Sequence, residues 1–476
     1  MNNDCPLPAD SAQQGSARKT AALKLALTGL AGASIEWYDF FLYATAAALV
    51  FPTVFFSATL PSFVALIASF STFTVGFLAR PVGAVMFGHM GDRMGRKTTL
   101  AAAMIMMGTA TTLIGLLPSY HSAGFWAPLV LVLLRFAQGL AVGGQWGGAI
   151  LLATESAPKS RRGLYGSIAQ AGVPVGVVLA NAAFLITSSA TSPQAFAAYG
   201  WRIPFLFSIV LVGLGVFVRL RIDDTAAFRQ LKQPKPLPGD SLAEGAIPGA
   251  ADSTCAAPVL EAFRLCPGRI FLAAGAYLSS NLTFYILITY VVAYGTSVEG
   301  LQLPRGALLT AVLIGNLVML PMLFLAGRLS DRYGRRRIFM TGIALSGIWA
   351  FVLFRLLETR SLPWITLSIA VGLGVNALSY GPMAAMFAEL FNTRIRYSAT
   401  SLAYQIGVIF GGGLAPIIAT GLFARFHNNV WIAGYIAGAC ALSLVFASRI
   451  GETSGTDLLK STPAAGSLAV DSPTVI

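Results

Sequence analysis

The sequence Gly88-His-Met-Gly-Asp92-Arg93-Met-Gly95-Arg96-Lys97 sets the architecture of this chain, because it returns as Gly327-Arg-Leu-Ser-Asp331-Arg332-Tyr-Gly334-Arg335-Arg336. The glycine, aspartate and arginine positions of the two copies are in register, 239 residues apart in a chain of 476. Each copy joins two apolar segments that are long enough to cross a membrane. The repeat therefore predicts two similar membrane-embedded halves.

The composition places the chain outside the soluble range: 56% of its residues are hydrophobic, 11% are charged and its mean hydropathy is +0.72. A net charge of +13 would suggest nucleic-acid binding in a soluble protein, but the basic residues lie in short loops between apolar runs, where they report orientation. We therefore expect no nucleic-acid partner. The four cysteines are scattered, and no cofactor or metal site is predicted.

Twelve apolar runs, each near or above the length of about 20 residues that a membrane helix needs, predict an all-α integral membrane protein. They fall at residues 23–51, 60–87, 98–118, 126–154, 163–189, 202–220, 270–296, 305–327, 338–357, 363–388, 397–423 and 430–448. The predicted domains are an N-terminal tail (1–22), a six-helix bundle (23–220), a linker (221–268), a second six-helix bundle (269–450) and a C-terminal tail (451–476). Both tails are polar and are predicted to be disordered.

The Lys and Arg residues outside these spans predict the orientation: 25 lie on the side of the tails and the linker, and five lie on the other side. By the positive-inside rule both termini are cytoplasmic, in a multi-pass protein of a bacterial-type inner membrane. A second repeat, Glu155…Arg162…Ser167 and Glu389…Arg396…Ser401, lies on the cytoplasmic side. The two repeats supply the predicted gating residues: Gly88, Asp92, Arg93, Gly95, Arg96, Glu155, Arg162, Gly327, Asp331, Arg332, Arg335, Glu389 and Arg396.

The first span contains two carboxylates, Glu36 and Asp39, with Tyr43 on the same helical stripe. A charge at the centre of a bilayer costs about 2.5 to 3.5 kcal/mol, so these groups are expected to face a cavity or a partner. Arg80 in the second span is predicted to neutralise one of them; the alternatives are a structural ion pair or a side chain that snorkels to the surface. Glu36, Asp39 and Arg80 are the predicted proton-coupling residues.

The fourth span carries a polar stripe formed by Arg135, Gln138 and Gln145. An arginine deep in a span has the bidentate geometry that suits a carboxylate substrate, and the alternative is a packing helix with a buried interhelical pair. Glycine recurs every fourth residue over 139–147, which allows a neighbouring helix to approach closely.

The polar membrane residues of the C-terminal half are neutral, which predicts hydrogen bonding from this half and ion handling in the other. The predicted substrate-binding residues are Tyr43, Arg135, Gln138, Gln145, Gln170, Asn281, Tyr285, Asn376 and Tyr380. The sequence has no Ser/His/Asp grouping and no metal-ligand spacing, so we expect no enzyme.

The repeated loop motif resembles the signature of the major facilitator superfamily between spans 2 and 3, and Arg135-x2-Gln-Gly resembles its span 4 signature. The segments Glu36-Trp-Tyr-Asp-Phe-Phe-Leu-Tyr43, Gly143-Gly144-x-Trp-Gly-Gly, Glu155-Ser-Ala-Pro158 and Gly200-Trp-Arg-Ile-Pro-Phe205 resemble the metabolite:proton symporter family, and within it the shikimate transporter-like members. The resemblance implies twelve helices in the major facilitator fold. It also implies transport of organic acids, or of zwitterions such as proline and betaine, together with protons by alternating access.

Two positions depart from the family patterns. Gln145 stands where the family block usually has Glu, which shifts the expected coupling role to Glu36 and Asp39. In span 5, Gly163-x8-Gly172-x3-Gly176 is followed by Val177-Val178 where the antiporter motif needs Gly-Pro, and this disfavours antiport.

The sequence thus predicts a proton-coupled importer of a small organic acid or related metabolite, acting as a monomer in the lipid bilayer without a cofactor. The alternatives are a uniporter or exporter of the same fold, and a non-transporting membrane sensor. The substrate stays open between shikimate-like hydroxy acids, citrate-like acids and betaines.

Overall fold

The computed structural model describes residues 30–456 apart from 31, 95, 144–145, 156, 223–257 and 393–394. The described residues form helices and connecting turns and contain no strand. The long helices, numbered in chain order, are α1 (32–49), α2 (Ser62–Met94), α3 (Arg96–Leu116), α4 (Trp126–Gly143, continued by Trp146–Glu155), α5 (Lys159–Ala190), α6 (Arg202–Ile222), α7 (Pro267–Thr296), α8 (Arg305–Tyr333), α9 (Arg335–Glu358), α10 (Leu362–Leu390), α11 (Arg396–Phe426) and α12 (Val430–Arg449).

Nine helices in this part of the chain are long and apolar enough to cross a membrane, and a tenth is added if the bent pair Pro193–Gly200 and Arg202–Phe217 is one span. The two parts of that pair meet at 47°. Two further predicted runs coincide with α1, which carries two carboxylates, and with the shorter apolar helix Ala101–Leu116 of α3. Each apolar run of the sequence therefore has a helix, while length and composition identify nine or ten of them as spans.

Small residues bring α2 and α4 together. A Cβ at Gly139 would overlap the carbonyl oxygen of Gly76, and a Cβ at Gly143 would overlap that of Arg80. On the other helix, a Cβ at Gly83 would overlap the carbonyl oxygen of Leu140. The close helix approach predicted from the glycine spacing is confirmed for this pair, and it holds the backbone of Arg80 against α4.

The two halves meet through α5 against α8 and α10, and through α2 against α11. At the end that carries 327–336, called the motif end, Gly163 and Gly327 lie so close that a Cβ on either would overlap the other's backbone. At the opposite end, the Arg305 guanidinium lies 5.7 Å from the ring centroid of Phe196. The halves are therefore in contact with each other near both ends.

The segments between the bundles differ in part from the sequence expectation. The predicted linker, 221–268, lies mostly outside the described residues, but Pro258–Leu265 within it is helical. The start of the C-terminal tail, predicted to be disordered, packs against the motif end up to residue 456. Its Glu452 carboxylate accepts hydrogen bonds from the backbone N–H groups of Arg335 and Arg336, at 2.8 and 3.2 Å, and so caps α9. This cap explains why the start of the tail is ordered, and the composition of the tail does not reveal it.

Candidate functional site

A small cavity of about 10 Å³ lies at the centre of the molecule, between the two halves. Its lining residues are Trp37, Val173, Tyr277, Ser280, Asn281, Phe284, Tyr285, Met319, Asn376, Tyr380 and Tyr404. Four of these, Asn281, Tyr285, Asn376 and Tyr380, are predicted substrate-binding residues that the fold brings to one place. The volume is about what a single water molecule needs, so a metabolite enters this site only when the helices separate.

The C-terminal half covers most of the cavity with tyrosine and amide side chains. The ring of Tyr277 stacks on those of Tyr404 and Tyr380, with centroids 5.2 and 6.4 Å apart. The Tyr277 hydroxyl donates to Oδ1 of Asn281 at 3.4 Å, and Nδ2 of Asn376 donates to the Ser280 carbonyl at 2.7 Å. This wall offers several hydrogen-bonding groups and no charge among the lining residues.

The N-terminal half places two fully buried arginines beside this wall. The guanidinium carbon of Arg80 lies 4.4 Å from the ring centroid of Phe40 and 4.6 Å from that of Phe77. The guanidinium carbon of Arg135 lies 4.3 Å from Phe40 and 4.2 Å from Tyr43. Cation–π contacts of this kind stabilise a cation when it is removed from water. No carboxylate among the described residues forms an ion pair with either arginine.

Three predicted substrate-binding residues of this half form one group, in which hydrogen bonds hold Arg135 and Gln138 and the Arg135 guanidinium lies over the Tyr43 ring. Nη1 of Arg135 donates to Oε1 of Gln138 at 3.0 Å, and Nε2 of Gln138 donates to Thr111 at 2.7 Å. The Tyr43 hydroxyl donates to Thr72 at 2.6 Å. Tyr43, Arg135 and Gln138 are thus brought together next to the cavity but do not line it.

The predicted coupling acids lie on α1. Asp39 is buried beside the Ser208 hydroxyl of α6, and its Oδ1 has no hydrogen-bond partner among the described residues. The neighbouring Tyr38 hydroxyl donates to the Pro204 carbonyl at 2.8 Å, which fixes this face of α1 against α6. Glu36 is partly buried. The expected pairing of Arg80 with an acid of this helix is not present in this conformation, because the guanidinium faces aromatic rings.

Gln170 of α5 reaches across the interface between the halves. Its side-chain amide donates to the backbone carbonyl of Tyr380 on α10. The other predicted polar residue of the N-terminal half, Gln145, lies outside the described residues. Gln170 therefore connects the predicted site with the packing of α5 against α10.

The motif end contains a network of charged residues. Asp331 accepts hydrogen bonds from the backbone N–H groups of Gly163 and Leu164, at 2.8 and 3.0 Å, so it caps the helix that starts at Arg162 in the other half. Arg335 pairs with Asp331 at 2.5 Å and with Glu389 at 3.4 Å. Asp331 and Arg335, two predicted gating residues of the second loop, are thus joined to the opposite half through the Asp331 carboxylate.

Further contacts connect this network with the rest of the motif end. Arg162 approaches Glu389 at 3.7 Å, and Arg396 pairs with Glu155 at 2.9 Å. Arg162 also donates to the carbonyl of Thr456 in the C-terminal tail, at 2.7 Å. Arg332 is exposed at this end, with its guanidinium over the ring of Tyr333. The predicted gating residues of the first loop are Gly88, Asp92, Arg93, Gly95 and Arg96, and their surroundings lie outside the described part of the structure.

Sequence reasoning missed Trp37 and Tyr277 as cavity residues. Tyr277 stands four residues before Asn281 and eight before Tyr285, so all three share one stripe of α7. That spacing is a signal that could have identified it. Trp37 has no comparable signal, because an aromatic residue in an apolar span usually packs in a core or a membrane interface. Within the described residues no group of His, Cys, Asp and Glu could hold a metal ion.

Comparison with known proteins gives a consistent result. Residues 25–461 match the family described as sugar (and other) transporter. The chain is 39% identical over 448 residues to the shikimate transporter of Escherichia coli K12, covering 93% of this chain and 98% of that protein. It is 34% identical over 451 residues to the glycine betaine/proline/ectoine/pipecolic acid transporter OusA of Dickeya dadantii, covering 94% of this chain and 87% of that protein.

A solved structure of the major facilitator superfamily proton:xylose symporter XylE superposes with a TM-score of 0.66 at 18% sequence identity, covering 93% of this chain and 98% of that one. At this identity the likeness establishes the fold alone. The family match and the curated relatives span nearly the whole described chain and agree with the repeated motifs. The chain therefore belongs to the sugar (and other) transporter family and has the fold of the major facilitator superfamily.

Proposed function

We propose that the protein is a proton-coupled importer of a small carboxylate-bearing metabolite, acting as a monomer in a bacterial inner membrane. The observation that carries the proposal is the pair of fully buried arginines, Arg80 and Arg135, beside a cavity of tyrosine and amide groups. A buried cation without an acidic partner is costly, and an anionic substrate would supply the missing charge.

The architecture supports alternating access. The cavity lies between two halves that are in contact near both ends, and the motif end is held by hydrogen bonds and ion pairs that can break as the halves rock. In the proposed orientation the motif end is cytoplasmic. Substrate enters from the other side, Asp39 or Glu36 takes up a proton there, and both are released when the motif end opens.

The curated relatives support the substrate class only in outline. One is a shikimate transporter, which handles a hydroxylated carboxylate, and another transports betaine and proline, which are zwitterions with a carboxylate. A carboxylate is the group that these substrates share. The proton:xylose symporter with the same fold supports coupling to protons, although its substrate is a neutral sugar.

The proposal is tested by uptake of labelled shikimate into proteoliposomes that contain the purified protein. We expect accumulation above the external concentration when the outside is acidic, and no accumulation after a protonophore collapses the gradient. Vesicles without protein serve as the control. Uptake that only equilibrates and ignores the gradient would indicate a uniporter, and a ligand that binds without any uptake would indicate a sensor.

A further inference from the structure

We propose that Arg80, rather than Arg135, binds the carboxylate of the substrate, and that the site is built for a hydroxylated monocarboxylate. This inference rests on the proposed function and specifies which residue recognises the anion and how many acidic groups the substrate has. It also exchanges the roles that the sequence suggested, in which Arg135 held the substrate and Arg80 served proton coupling.

The first step concerns the hydrogen bonds of Arg80. None of its three guanidinium nitrogens has a hydrogen-bond partner among the described residues, although the side chain is fully buried. Rings of Phe40 and Phe77 lie within 4.6 Å of the guanidinium carbon, and the Trp37 ring lies at 5.7 Å. The rings accommodate the charge but accept no N–H bonds in the guanidinium plane. The five donors of the fork therefore make no hydrogen bond of full geometry with the described residues in this conformation.

The second step concerns where Arg80 lies. Trp37, which packs on the guanidinium, lines the central cavity. The hydroxyls of Tyr285 and Tyr404, also in the lining, lie close enough to interact with the charge of Arg80, although neither pair has the geometry of a full hydrogen bond. A carboxylate that entered the cavity beside these hydroxyls would meet the guanidinium fork, which matches its geometry with two parallel hydrogen bonds.

The third step separates Arg135 from this role. Its Nη1 is bound to Gln138, which is itself fixed by Thr111, while its Nε and Nη2 have no hydrogen-bond partner among the described residues. Its Nε packs so closely on α2 that a Cβ at Gly76 would touch it. The rings that cover its guanidinium, those of Phe40, Tyr43 and Phe73, do not line the cavity. Among the lining residues, Tyr285 interacts with Arg135 only at long range, through its hydroxyl. Arg135 is therefore a positioning residue that also adds positive potential near Arg80.

The fourth step concerns the rest of the substrate. Nδ2 of Asn281 has no hydrogen-bond partner among the described residues, and Asn281 lines the cavity. An unpaired amide donor there requires an acceptor such as a hydroxyl oxygen, which the methylated ammonium of a betaine does not offer. The lining itself contains no cation, so Arg80 beside it can neutralise one carboxylate but leaves the others of a di- or tricarboxylate without a partner. A substrate with one carboxylate and several hydroxyls would use both the Arg80 guanidinium and the Asn281 amide.

The test is ligand binding by the purified full chain in detergent, measured by calorimetry and by the ligand-dependent rise in the thermal transition. The probes are shikimate, its methyl ester, citrate and glycine betaine. We expect shikimate to bind most tightly and the uncharged ester to lose most of the affinity. Arg80→Gln should weaken shikimate binding on the order of 100-fold, because two charge-assisted hydrogen bonds are lost. Arg80→Lys should give an intermediate loss, since it keeps the charge without the fork.

The controls separate recognition from folding. Arg135→Gln is expected to lower the ligand-free thermal transition and to weaken shikimate binding less than Arg80→Gln does. Arg80→Gln is expected to leave the ligand-free transition unchanged or raised, because it removes a buried charge that has no partner. Arg355→Gln, at an exposed site that is 76% accessible, should change nothing.

Three results would overturn the inference while leaving the proposed function intact. They are full shikimate affinity in Arg80→Gln, equal affinity for the acid and its ester, and tighter binding of citrate or betaine than of shikimate. If the wild type binds no carboxylate of the set, the proposed function fails, and the inference fails with it. If Arg80→Gln does not fold, Arg80→Lys decides, since unchanged affinity in that variant contradicts a bidentate contact.

Discussion

Around the predicted site the buried charges come from the N-terminal half, and this asymmetry is the main property of the site at the scale of single residues. Arg80, Arg135 and Asp39 are all at most 1% exposed. The polar cavity residues that α7, α10 and α11 contribute are tyrosines, amides and a serine. The N-terminal half can therefore bind the charged group of a substrate, while the C-terminal half binds its neutral polar groups.

Asp39→Asn is expected to uncouple transport from the proton gradient. The Asp39 carboxyl is buried and has an oxygen without a hydrogen-bond partner among the described residues, so an amide fits the same space but cannot take up a proton. Gradient-driven accumulation of shikimate should be lost, while exchange of labelled for unlabelled shikimate at equal pH continues. The measurement compares both modes in proteoliposomes.

Glu36→Gln is the matched variant for this experiment, because it makes the same chemical change one turn earlier on α1. If Asp39 is the coupling group, Glu36→Gln retains accumulation. Normal accumulation by Asp39→Asn together with its loss in Glu36→Gln would assign the proton to Glu36 instead. Normal accumulation by both variants would contradict coupling through α1.

Tyr285→Phe is expected to weaken shikimate binding by roughly 2- to 10-fold, the range for one neutral hydrogen bond. The ring of Tyr285 packs among phenylalanines, with centroids 5.3 Å from Phe77 and 5.8 Å from Phe73, so the substitution keeps this packing. The ligand-free thermal transition should therefore stay the same. Tyr435→Phe is the control, since Tyr435 lies in an apolar groove between α7, α11 and α12, outside the cavity. Unchanged affinity in Tyr285→Phe would remove its hydroxyl from the site.

Sequence alone placed both arginines within apolar spans but could not assign their roles. Arg80 and Arg135 both read as single cations in apolar spans, and the difference between them is made by neighbours from distant parts of the chain. Gln138 and Thr111 fix one of them, and the cavity wall from α7 and α11 adjoins the other. Such neighbours appear only once the helices are assembled.

At the scale of elements, α7 and α11 each contain one π-helical turn, at Ile286–Tyr290 and Ile409–Gly413. The first follows directly after Tyr285, and a Cβ at Gly412 in the second would lie 2.8 Å from the ring of Tyr285. Turns of this kind are common at functional sites because they redirect side chains locally. The apolar runs predicted both helices, but no residue pattern within them indicated the wide turns.

Gly143→Ala is expected to destabilise the protein by about 1 to 3 kcal/mol, the usual cost of overpacking. The added methyl group would overlap the Arg80 carbonyl and push α2 away from α4. The thermal transition should fall, and shikimate affinity should fall with it because the backbone of Arg80 moves. Gly213→Ala makes the same substitution in α6 where nothing lies within 4 Å, so it should leave shikimate affinity unchanged and the thermal transition unchanged or raised, because alanine favours a helix. Equal transitions for the two variants would contradict the tight helix crossing.

At the scale of the whole molecule, the motif end connects the two halves by contacts that the sequence predicted only in part. The repeated loops predicted Asp331 as a gating residue, and in the structure its carboxylate pairs with Arg335. They did not indicate that its carboxylate also caps a helix of the other half, since a cap between halves depends on how the bundles meet. The contribution of the C-terminal tail through Glu452 was likewise invisible in its composition.

Asp331→Asn is expected to favour the conformation in which the motif end is open. The carboxylate accepts two backbone N–H bonds at the start of a helix, where a negative charge is stabilised, and an amide is a weaker acceptor without that charge. Loss of about 1.4 kcal/mol from the closed state would raise the ratio of open to closed molecules about tenfold.

Spin labels at the exposed positions Ser160 and Arg337 would measure this ratio, in a background where Cys5, Cys255, Cys266 and Cys440 are replaced by serine. The two positions lie in different halves at the motif end, so an open end lengthens the distance between them. The population at the longer distance should grow in Asp331→Asn. Glu358→Gln alters an exposed pair with Arg355, 3.9 Å apart, and should reproduce the wild-type distribution. An identical distribution in Asp331→Asn would mean that the cap does not hold the halves together, and that closure depends on the remaining packing of α5 against α8 and α10.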